Sequence, residues 1–417
     1  MNNTKTTTRI FILIYFVSIG FLSGLTNYFL GLVILFCLAI HFKFVFPSKI
    51  LFISYWPIFL YLMFISLISQ STGPTDFMYF LKNSINFSNP IIFLTIGAML
   101  SWVLDKKTMI KMILNVALLV SLLHIIYLAI NISVFSSFDE LRTTSGTQID
   151  IVPLALAIVL FRKNFDLVLN KKIAVFYEII FFAILLITFS RTMLIVFIIY
   201  SFIIIALSVN DDKRFLKIIK FFLYFLVIFG LFYLLIPDDI KTTFFNKILN
   251  SFQEVSSNNA WSDSTDVTHD WRGFENYSAL FQFSNSSLMN KIFGRGIMDS
   301  IFVGIYSSLV GVSNGYLPYL HNGYFTLLLK GGFITLFYYI FFLLGNAFKH
   351  ILYFKKYNKN SFTALPISIL IGFFVTTYFT MGPFVRGISV WLLILLGYFS
   401  YSLKNSKDNI LNKESEQ

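Results

Sequence analysis

Long apolar stretches recur along almost the whole chain, and this pattern restricts the fold more than any other feature of the sequence. Only 12% of the residues are charged, about half the proportion found in soluble domains, so an assembly of two or three soluble domains is excluded. Each stretch approaches the length of roughly 20 residues that a helix needs to cross the hydrocarbon layer. We therefore predict an all-α polytopic integral membrane protein with about twelve transmembrane helices. The twelve stretches lie near residues 10–26, 28–42, 49–69, 88–104, 110–131, 148–161, 173–189, 191–208, 216–236, 322–345, 363–380 and 384–402.

The distribution of basic residues predicts how the chain is oriented. The formal net charge of +12 would suggest nucleic acid as a ligand in a soluble protein. If the N-terminus is placed in the cytoplasm, 22 of the 32 Lys and Arg residues fall on the inner side, which then carries +14 while the outer side carries −2. Cytoplasmic loops of membrane proteins carry such an excess of Lys and Arg. We therefore predict that both termini are cytoplasmic and that no nucleic acid is bound.

The same assignment divides the chain into four parts. Residues 1–236 contain the first nine spans, and residues 237–320 form one large loop on the outer side. Residues 321–402 contain the last three spans, and residues 403–417 form a cytoplasmic tail.

Two segments of the large loop have distinct compositions. Residues 251–270 lack Lys and Arg and are rich in Ser, Asn and Asp, which is typical of a mobile surface loop or of a lid that contacts sugars through Trp261 and Trp271. Residues 271–291 predict an amphipathic helix that lies on the membrane or caps the helix bundle. Its helically spaced apolar residues are Phe274, Tyr277, Leu280 and Phe281.

Arginines at the outer edges of the spans are the first candidates for a functional site. Arg191 and Arg386 each occupy a tight outer turn between apolar runs, and neither has an acidic residue beside it in the sequence. Such arginines either remain interfacial charges or bind an anion, because a planar guanidinium matches the oxygens of a phosphate. Arg142, Arg272 and Arg295 fall on the same side, and a shared anionic ligand would explain all five.

His321 is the second candidate, at the start of the tenth stretch in HNGYFTLLLKGG. Asn322 suits a helix cap, and the positive end of the helix disfavours an imidazolium. A neutral imidazole can act as a general base, and the alternative is a polar interfacial histidine beside a cap. Gly331 and Gly332 would let a neighbouring helix approach closely. We find neither the spacing of a metal site nor a phosphate-binding glycine-rich loop, so we expect no metal and no cofactor.

Several of these motifs together resemble one family of membrane proteins. HNGYFTLLLKGGFITLF is similar to a segment shared by bacterial O-antigen polymerases and O-antigen ligases, in which a His-Asn pair follows the large periplasmic loop and a Gly comes about ten residues later. TFSRTML resembles their Ser/Thr-Arg turn, and LRTTSGTQIDI resembles their Arg-x-x-Gly-like stretch. WRGFENYSAL and IFGRGI resemble the polymerase pattern of an Arg on an amphipathic helix before a Phe-Gly-x-Gly turn. The matching residues are Ser190, Arg191, Arg142, Gly146, Arg272, Phe293, Gly294, Gly296 and His321.

The resemblance implies metal-independent glycosyl transfer at the periplasmic face of a bacterial inner membrane, on an architecture like that of the GT-C glycosyltransferases. The donor would be a glycan on undecaprenyl pyrophosphate within the membrane lipid, and His321 would deprotonate or orient the acceptor hydroxyl. Arg191, with Arg272 and Arg295 or Arg386, would hold the pyrophosphate. The full binding set that it implies comprises Arg191, Arg272, Arg295, Arg386, Arg142, Asn322 and Tyr324. A chain-length regulator and a flippase are partners by family analogy alone.

Three functions remain open on these grounds. A polymerase transfers the glycan to another lipid-linked repeat unit, a ligase transfers it to the lipid A core, and a polysaccharide exporter transfers nothing. The His-Asn-Gly-Tyr segment and the Phe-Gly-x-Gly turn favour the polymerase. A transporter usually carries ionisable residues near the middle of its spans, whereas those of this chain lie mainly at the edges.

Overall fold

The computed structural model describes residues 12–47, 50–74, 76–131, 149–188, 190–207, 214–235, 241, 261, 264–356, 361–384 and 389–415. Over these residues the chain is almost entirely helical, which confirms the all-α class. The helices are α1 (12–19), α2 (Gly24–His41), α3 (Ile50–Ile68), α4 (Phe77–Leu100), α5 (Lys106–Ile130), α6 (Val152–Leu160), α7 (Lys171–Ile187), α8 (Arg191–Ala206), α9 (Arg214–Leu235), α10 (Ser264–His269), α11 (Trp271–Ser284), α12 (Leu288–Phe293), α13 (Gly323–Lys356), α14 (Ala364–Thr380) and α15 (Val390–Ser415). Two short strands, β1 (Ile301–Phe302) and β2 (Tyr316–Leu317), pair in antiparallel orientation.

Four segments of the described chain are long and apolar enough to cross a membrane. They are Gly24–His41, Lys106–Ile130, Gly323–Lys356 and Ser361–Thr380. Shorter apolar helical segments lie at Tyr55–Ile68, Arg191–Ala206, Ile218–Gly230 and Val390–Leu403. On α2, the side chains of Val33, Phe36 and Ile40 are all more than half exposed, as expected for a surface in contact with lipid. The crossing of the membrane by all twelve predicted stretches stays a prediction.

Polar side chains fix where several helices begin. Asp105 accepts a hydrogen bond from the Thr108 N–H at 2.9 Å, and Asp76 accepts one from the Tyr79 N–H at 3.0 Å. Because of the second cap, α4 begins at Phe77, three turns before the stretch that we predicted near residue 88. Those turns carry a row of asparagines, which made the sequence too polar to be recognised as part of a span. The asparagines Asn83, Asn86 and Asn89 are buried.

Helices α4 and α15 pack with their backbones in contact at the centre of the molecule. A Cβ atom on Gly97 would overlap the carbonyl of Ile394, and a Cβ atom on Gly397 would overlap the carbonyl of Leu94. Small residues at a crossing allow this approach between apolar helices. The Trp391 indole also donates to the Phe16 carbonyl at 2.9 Å, so α1 is attached to the same centre.

Several helix ends meet at one end of the molecule, the basic end, where Lys106 and Lys107 begin α5. Lys107 lies 3.8 Å from Asp166, and the Lys106 ammonium lies over the ring of Phe362, just before α14. Asn164 donates to the carbonyl of Ile204 near the last residue of α8. Consequently α8 ends at this basic end, and its first residue, Arg191, lies at the opposite end, where the segment 264–322 is attached.

That segment is attached by a turn inserted between α3 and α13. The Tyr61 hydroxyl donates to the Phe293 carbonyl at 2.9 Å, and the Gly296 N–H donates to the Lys330 carbonyl at 2.7 Å. Gly294 and Gly296 have φ angles of +79° and +92°, and a Cβ atom on either would overlap neighbouring backbone. The segment from Phe293 to Gly296 therefore closes against α3 and α13.

Candidate functional site

His321 is fixed just before α13 by backbone contacts on both sides. The buried Asn322 side chain accepts hydrogen bonds from the N–H groups of Tyr324 (3.1 Å) and Phe325 (3.4 Å), which confirms the predicted helix cap. The His321 carbonyl accepts a hydrogen bond from the Met381 N–H at 2.7 Å. The loop that follows α14 therefore holds the histidine in place, while its imidazole remains 49% exposed.

The buried carboxylate of Glu275 is the direct partner of this imidazole. The Nδ1 atom of His321 lies 2.9 Å from Oε2 and 3.1 Å from Oε1 of Glu275. The His321 backbone N–H donates to Oε2 at 3.2 Å, and the Trp271 indole donates to Oε1 at 2.8 Å. Three donors thus surround a carboxylate whose side chain is only 3% exposed.

This arrangement determines which imidazole nitrogen can accept a proton. An ionised carboxylate only accepts hydrogen bonds, so the Nδ1 atom of His321 carries the hydrogen that it donates to Glu275. In the neutral ring, Nε2 is then the acceptor. A histidine oriented in this way by a carboxylate is the usual form of a general base.

Helix α11 buries the face that carries Glu275. The buried residues are Gly273, Glu275, Asn276 and Ala279. Tyr277 and Phe281 are 40% and 60% exposed. The buried position of Glu275 is favourable because its carboxylate meets His321 and Trp271, whereas the aromatic rings line an open cleft on the same helix.

Tyr324 has a packing role in the described structure. Its hydroxyl donates to the Phe374 carbonyl, and its ring contacts Tyr339 and Phe374. The residue therefore joins α13 to α14 directly below His321.

The structure places three of the five predicted arginines. Arg191 begins α8 at the same end of the molecule as His321, and Arg272 follows Trp271 in the first turn of α11. Arg295 lies on the other side of α11, where its guanidinium donates to the Ser286 hydroxyl at 2.9 Å. Arg142 and Arg386 lie outside the described residues, as do Gly146 and most of the segment 251–270.

A buried polar cluster supports the turn that carries Arg295. Lys330 is fully buried in α13, and its ammonium donates to the carbonyls of Ile297 (2.9 Å) and Asp299. The Asp299 carboxylate accepts from the N–H (2.9 Å) and the hydroxyl (2.6 Å) of Thr72. Burial raises the pKa of Asp299, while the Thr72 hydrogen bonds and the charges of Lys330 and Arg295 act in the opposite direction. Lys330 is therefore a buried hydrogen-bond donor and not a charge at the surface of the protein.

A small cavity of about 280 Å³ adjoins the backbone around His321. Its walls include Tyr319, two residues before the histidine, and Met381, which is bonded to the histidine carbonyl. Asn86 lines the same cavity, and its buried Oδ1 atom has no hydrogen-bond partner among the described residues. The cavity therefore adjoins the backbone that holds His321 and is lined in part by a buried polar side chain.

Comparison with models of known protein families and with curated proteins finds no match for this chain. The chemistry assigned to the site therefore depends on its geometry. That geometry includes one functional residue, Glu275, that we did not predict. The sequence indicates this residue only by its position four residues after Trp271, which places both side chains on one face of a helix.

Proposed function

We propose that this chain is an O-antigen (surface polysaccharide) polymerase. It transfers a glycan from undecaprenyl pyrophosphate to a second lipid-linked repeat unit at the periplasmic face of the inner membrane. The proposal includes about twelve spans in a GT-C-like architecture, both termini in the cytoplasm, and no metal in the reaction.

The observation that carries the proposal is the hydrogen-bonded pair of Glu275 and His321. A sugar hydroxyl is a weak nucleophile, so its transfer needs a group that removes a proton as the new bond forms. The pair supplies a half-exposed acceptor nitrogen whose tautomer is fixed by a buried carboxylate. The cavity lined by Asn86, Tyr319 and Met381 adjoins the backbone around His321, and we place the acceptor sugar there.

The proposed step is a single displacement in which atoms and charge balance. The acceptor hydroxyl oxygen attacks the anomeric carbon of the donor, and its proton passes to the Nε2 atom of His321. The bond between that carbon and the phosphate oxygen breaks, and undecaprenyl pyrophosphate leaves with the electron pair. Glu275 stabilises the imidazolium formed in the step, as a buried carboxylate does for a catalytic histidine.

The leaving group needs positive charge where its own negative charge develops. Arg191 supports this part of the proposal because it begins α8 at the His321 end of the molecule. Arg272 precedes Glu275 by less than one helical turn. Both belong to the set that the family resemblance implies for the pyrophosphate.

Deletion of the gene followed by a lipopolysaccharide gel tests the reaction. Loss of a polymerase leaves core that bears one repeat unit. Loss of a ligase leaves bare core while lipid-linked polymer accumulates, and an unchanged ladder indicates neither activity. Either of the last two results would overturn the proposal.

Complementation of the deletion tests the assigned residues at matched protein levels. We expect His321→Ala and Arg191→Ala to leave the single-repeat phenotype. Arg191→Lys should also fail, because an ammonium cannot reproduce the two parallel hydrogen bonds of a guanidinium. A normal ladder with both alanine variants would remove these residues from the reaction.

A further inference from the structure

A second, larger cleft lies along α11, and neither Glu275 nor His321 lines it. Its volume is about 550 Å³, within the range of about 300–1,000 Å³ typical of small-molecule sites. Helix α11 forms one wall and the segment 302–306 forms the other. The aromatic residues that line it are Phe274, Tyr277, Phe281, Phe302, Tyr306 and Tyr316.

The aromatic rings that line the cleft are held in place by contacts with one another and remain accessible to a ligand. Phe274 contacts Tyr306 edge to face with ring centroids 5.2 Å apart, and the rings of Phe302 and Tyr316 lie 5.1 Å apart. Phe302 is nevertheless 57% exposed, so one side of its ring is open to a ligand. Rings held by their neighbours in this way lose little conformational freedom when a ligand binds.

Polar groups are placed among these rings. The Gln282 amide donates to the Ser300 carbonyl and accepts from the Phe302 N–H, which keeps that part of the wall rigid. Asn285 is exposed, and its side-chain amide makes no hydrogen bond with the other described residues. Arg295 also lines the cleft.

This combination matches the chemistry of a sugar chain. A pyranose ring presents C–H groups on its faces, which pack on aromatic rings, and hydroxyl groups at its edge, which need donors and acceptors. A lipid chain fits less well, because it would cover the Arg295 guanidinium and the Asn285 amide without replacing their water.

We propose that this aromatic cleft binds the glycan of the substrate at sugars distant from the bond that reacts. The inference depends on the proposed function for the source of the glycan. Helix α11 connects the two sites, because Phe274 lines the cleft and the next residue, Glu275, holds His321. A chain bound in the cleft is thereby kept beside the catalytic pair between successive transfers.

Binding can be measured without catalysis, using the full-length protein with His321→Ala in detergent. The probe is a mixture of short oligosaccharides released by mild acid from the host's own surface polysaccharide. We expect calorimetry to show binding that Phe302→Ala and Tyr277→Ala each weaken about tenfold, since each removes one aromatic contact. Asn285→Ala, an exposed position whose truncation leaves the fold intact, should weaken it as well. Phe341→Ala is the matched control, because this ring on α13 is 71% exposed and does not line the cleft.

Three outcomes would overturn the inference. One is the absence of oligosaccharide binding, and another is equal binding by the cleft variants and the control. The third is displacement of the oligosaccharide by undecaprenyl phosphate that carries no glycan, which would identify a lipid site. If the cleft binds sugars but deletion of the gene leaves the ladder unchanged, the cleft stands and the polymerase does not.

Discussion

A histidine that faces water acts as a dependable base only if another group determines which of its nitrogens carries the hydrogen. In this chain Glu275 has that role, and it is itself held by Trp271 and by the backbone of His321. The carboxylate accepts from three donors, so its negative charge and both of its oxygens are used. Removal of the charge alone is therefore a sensitive test of the arrangement.

We expect Glu275→Gln to lower glycan transfer by about a hundredfold or more, within the range of general base effects. An amide has one oxygen for the three donors, so its NH₂ group must face either Trp271 or His321. If it faces His321, Nδ1 becomes the acceptor and Nε2 carries the hydrogen, which removes the base. The measurement is the rate of polymer formation in membranes at equal protein levels.

Glu178→Gln provides the matched control for this variant. Glu178 also pairs with a cation, since its carboxylate lies 2.9 Å from the guanidinium of Arg162, but the pair lies at the basic end of the molecule. Loss of the Glu178–Arg162 pair should leave the transfer rate within about twofold of the wild type, because an isolated, partly exposed ion pair contributes only about 0–1 kcal/mol to stability. Equal losses of rate in both variants would show that Glu275 is merely structural.

At the scale of residues, local patterns identified one half of the proposed catalytic pair. His321 and Asn322 could be predicted because the cap and the following helix involve adjacent positions. Glu275 could not, because its contact with His321 joins positions 46 residues apart and depends on the rotation of α11. The apolar periodicity of α11 predicted an amphipathic helix, but it carried no information about the carboxylate on the opposite face.

At the scale of elements, α13 is not one regular helix. Gly332 has φ +63° and ψ −167°, a conformation open almost only to glycine, and it interrupts the helix nine residues after it begins. The break lets the carbonyl of Ile292 and the backbone of Gly294 approach the helix axis. The Gly331-Gly332 pair predicted the close approach of a neighbouring helix. Helix α3 does approach Gly331, but the backbone that packs against Gly332 belongs to the end of α12 and the turn after it.

Substitution of Gly332 should therefore separate the large loop from the spans. We expect Gly332→Ala to destabilise the protein by at least about 1–3 kcal/mol, the cost of the strained backbone conformation, with an added cost from overlap with Ile292. Gly345→Ala in the same helix has open space around its Cβ atom and should cause no loss. Thermal unfolding in detergent, followed by size-exclusion chromatography with fluorescence detection, compares the two. The same melting temperature in both variants would contradict the role of the break.

Helix boundaries were predictable where apolar runs end at a polar cap, and were wrong where polar residues are buried. The bounds of α7 and α8 differ from the predicted stretches by two residues or fewer at each end. By contrast, the first three turns of α4 contain buried asparagines and were missed. Hydropathy measures suitability for lipid, so it undervalues a helical face that packs against protein.

At the scale of the whole molecule, the separation of charge agrees with the two ends seen in the fold. Lys106, Lys107 and Arg162 lie together at the basic end, whereas Glu275 and His321 lie at the end that carries the segment 264–322. A separation of this kind orients a membrane protein with its basic end in the cytoplasm. With this orientation Glu275 and His321 would face the periplasm, as the proposed reaction requires.

Labelling of single cysteines tests this orientation directly. The chain has one cysteine, the exposed Cys37, so Cys37→Ser provides a background without thiols. On that background we expect a membrane-impermeant maleimide to label Ser284→Cys in intact spheroplasts, because this exposed residue ends α11 at the loop end. Lys163→Cys, exposed at the basic end, should react only after the membrane is permeabilised. Both sites must react fully in detergent for the comparison to hold. The reverse pattern in spheroplasts would place Glu275 and His321 in the cytoplasm, away from a donor in the outer leaflet, and would rule out the proposed reaction.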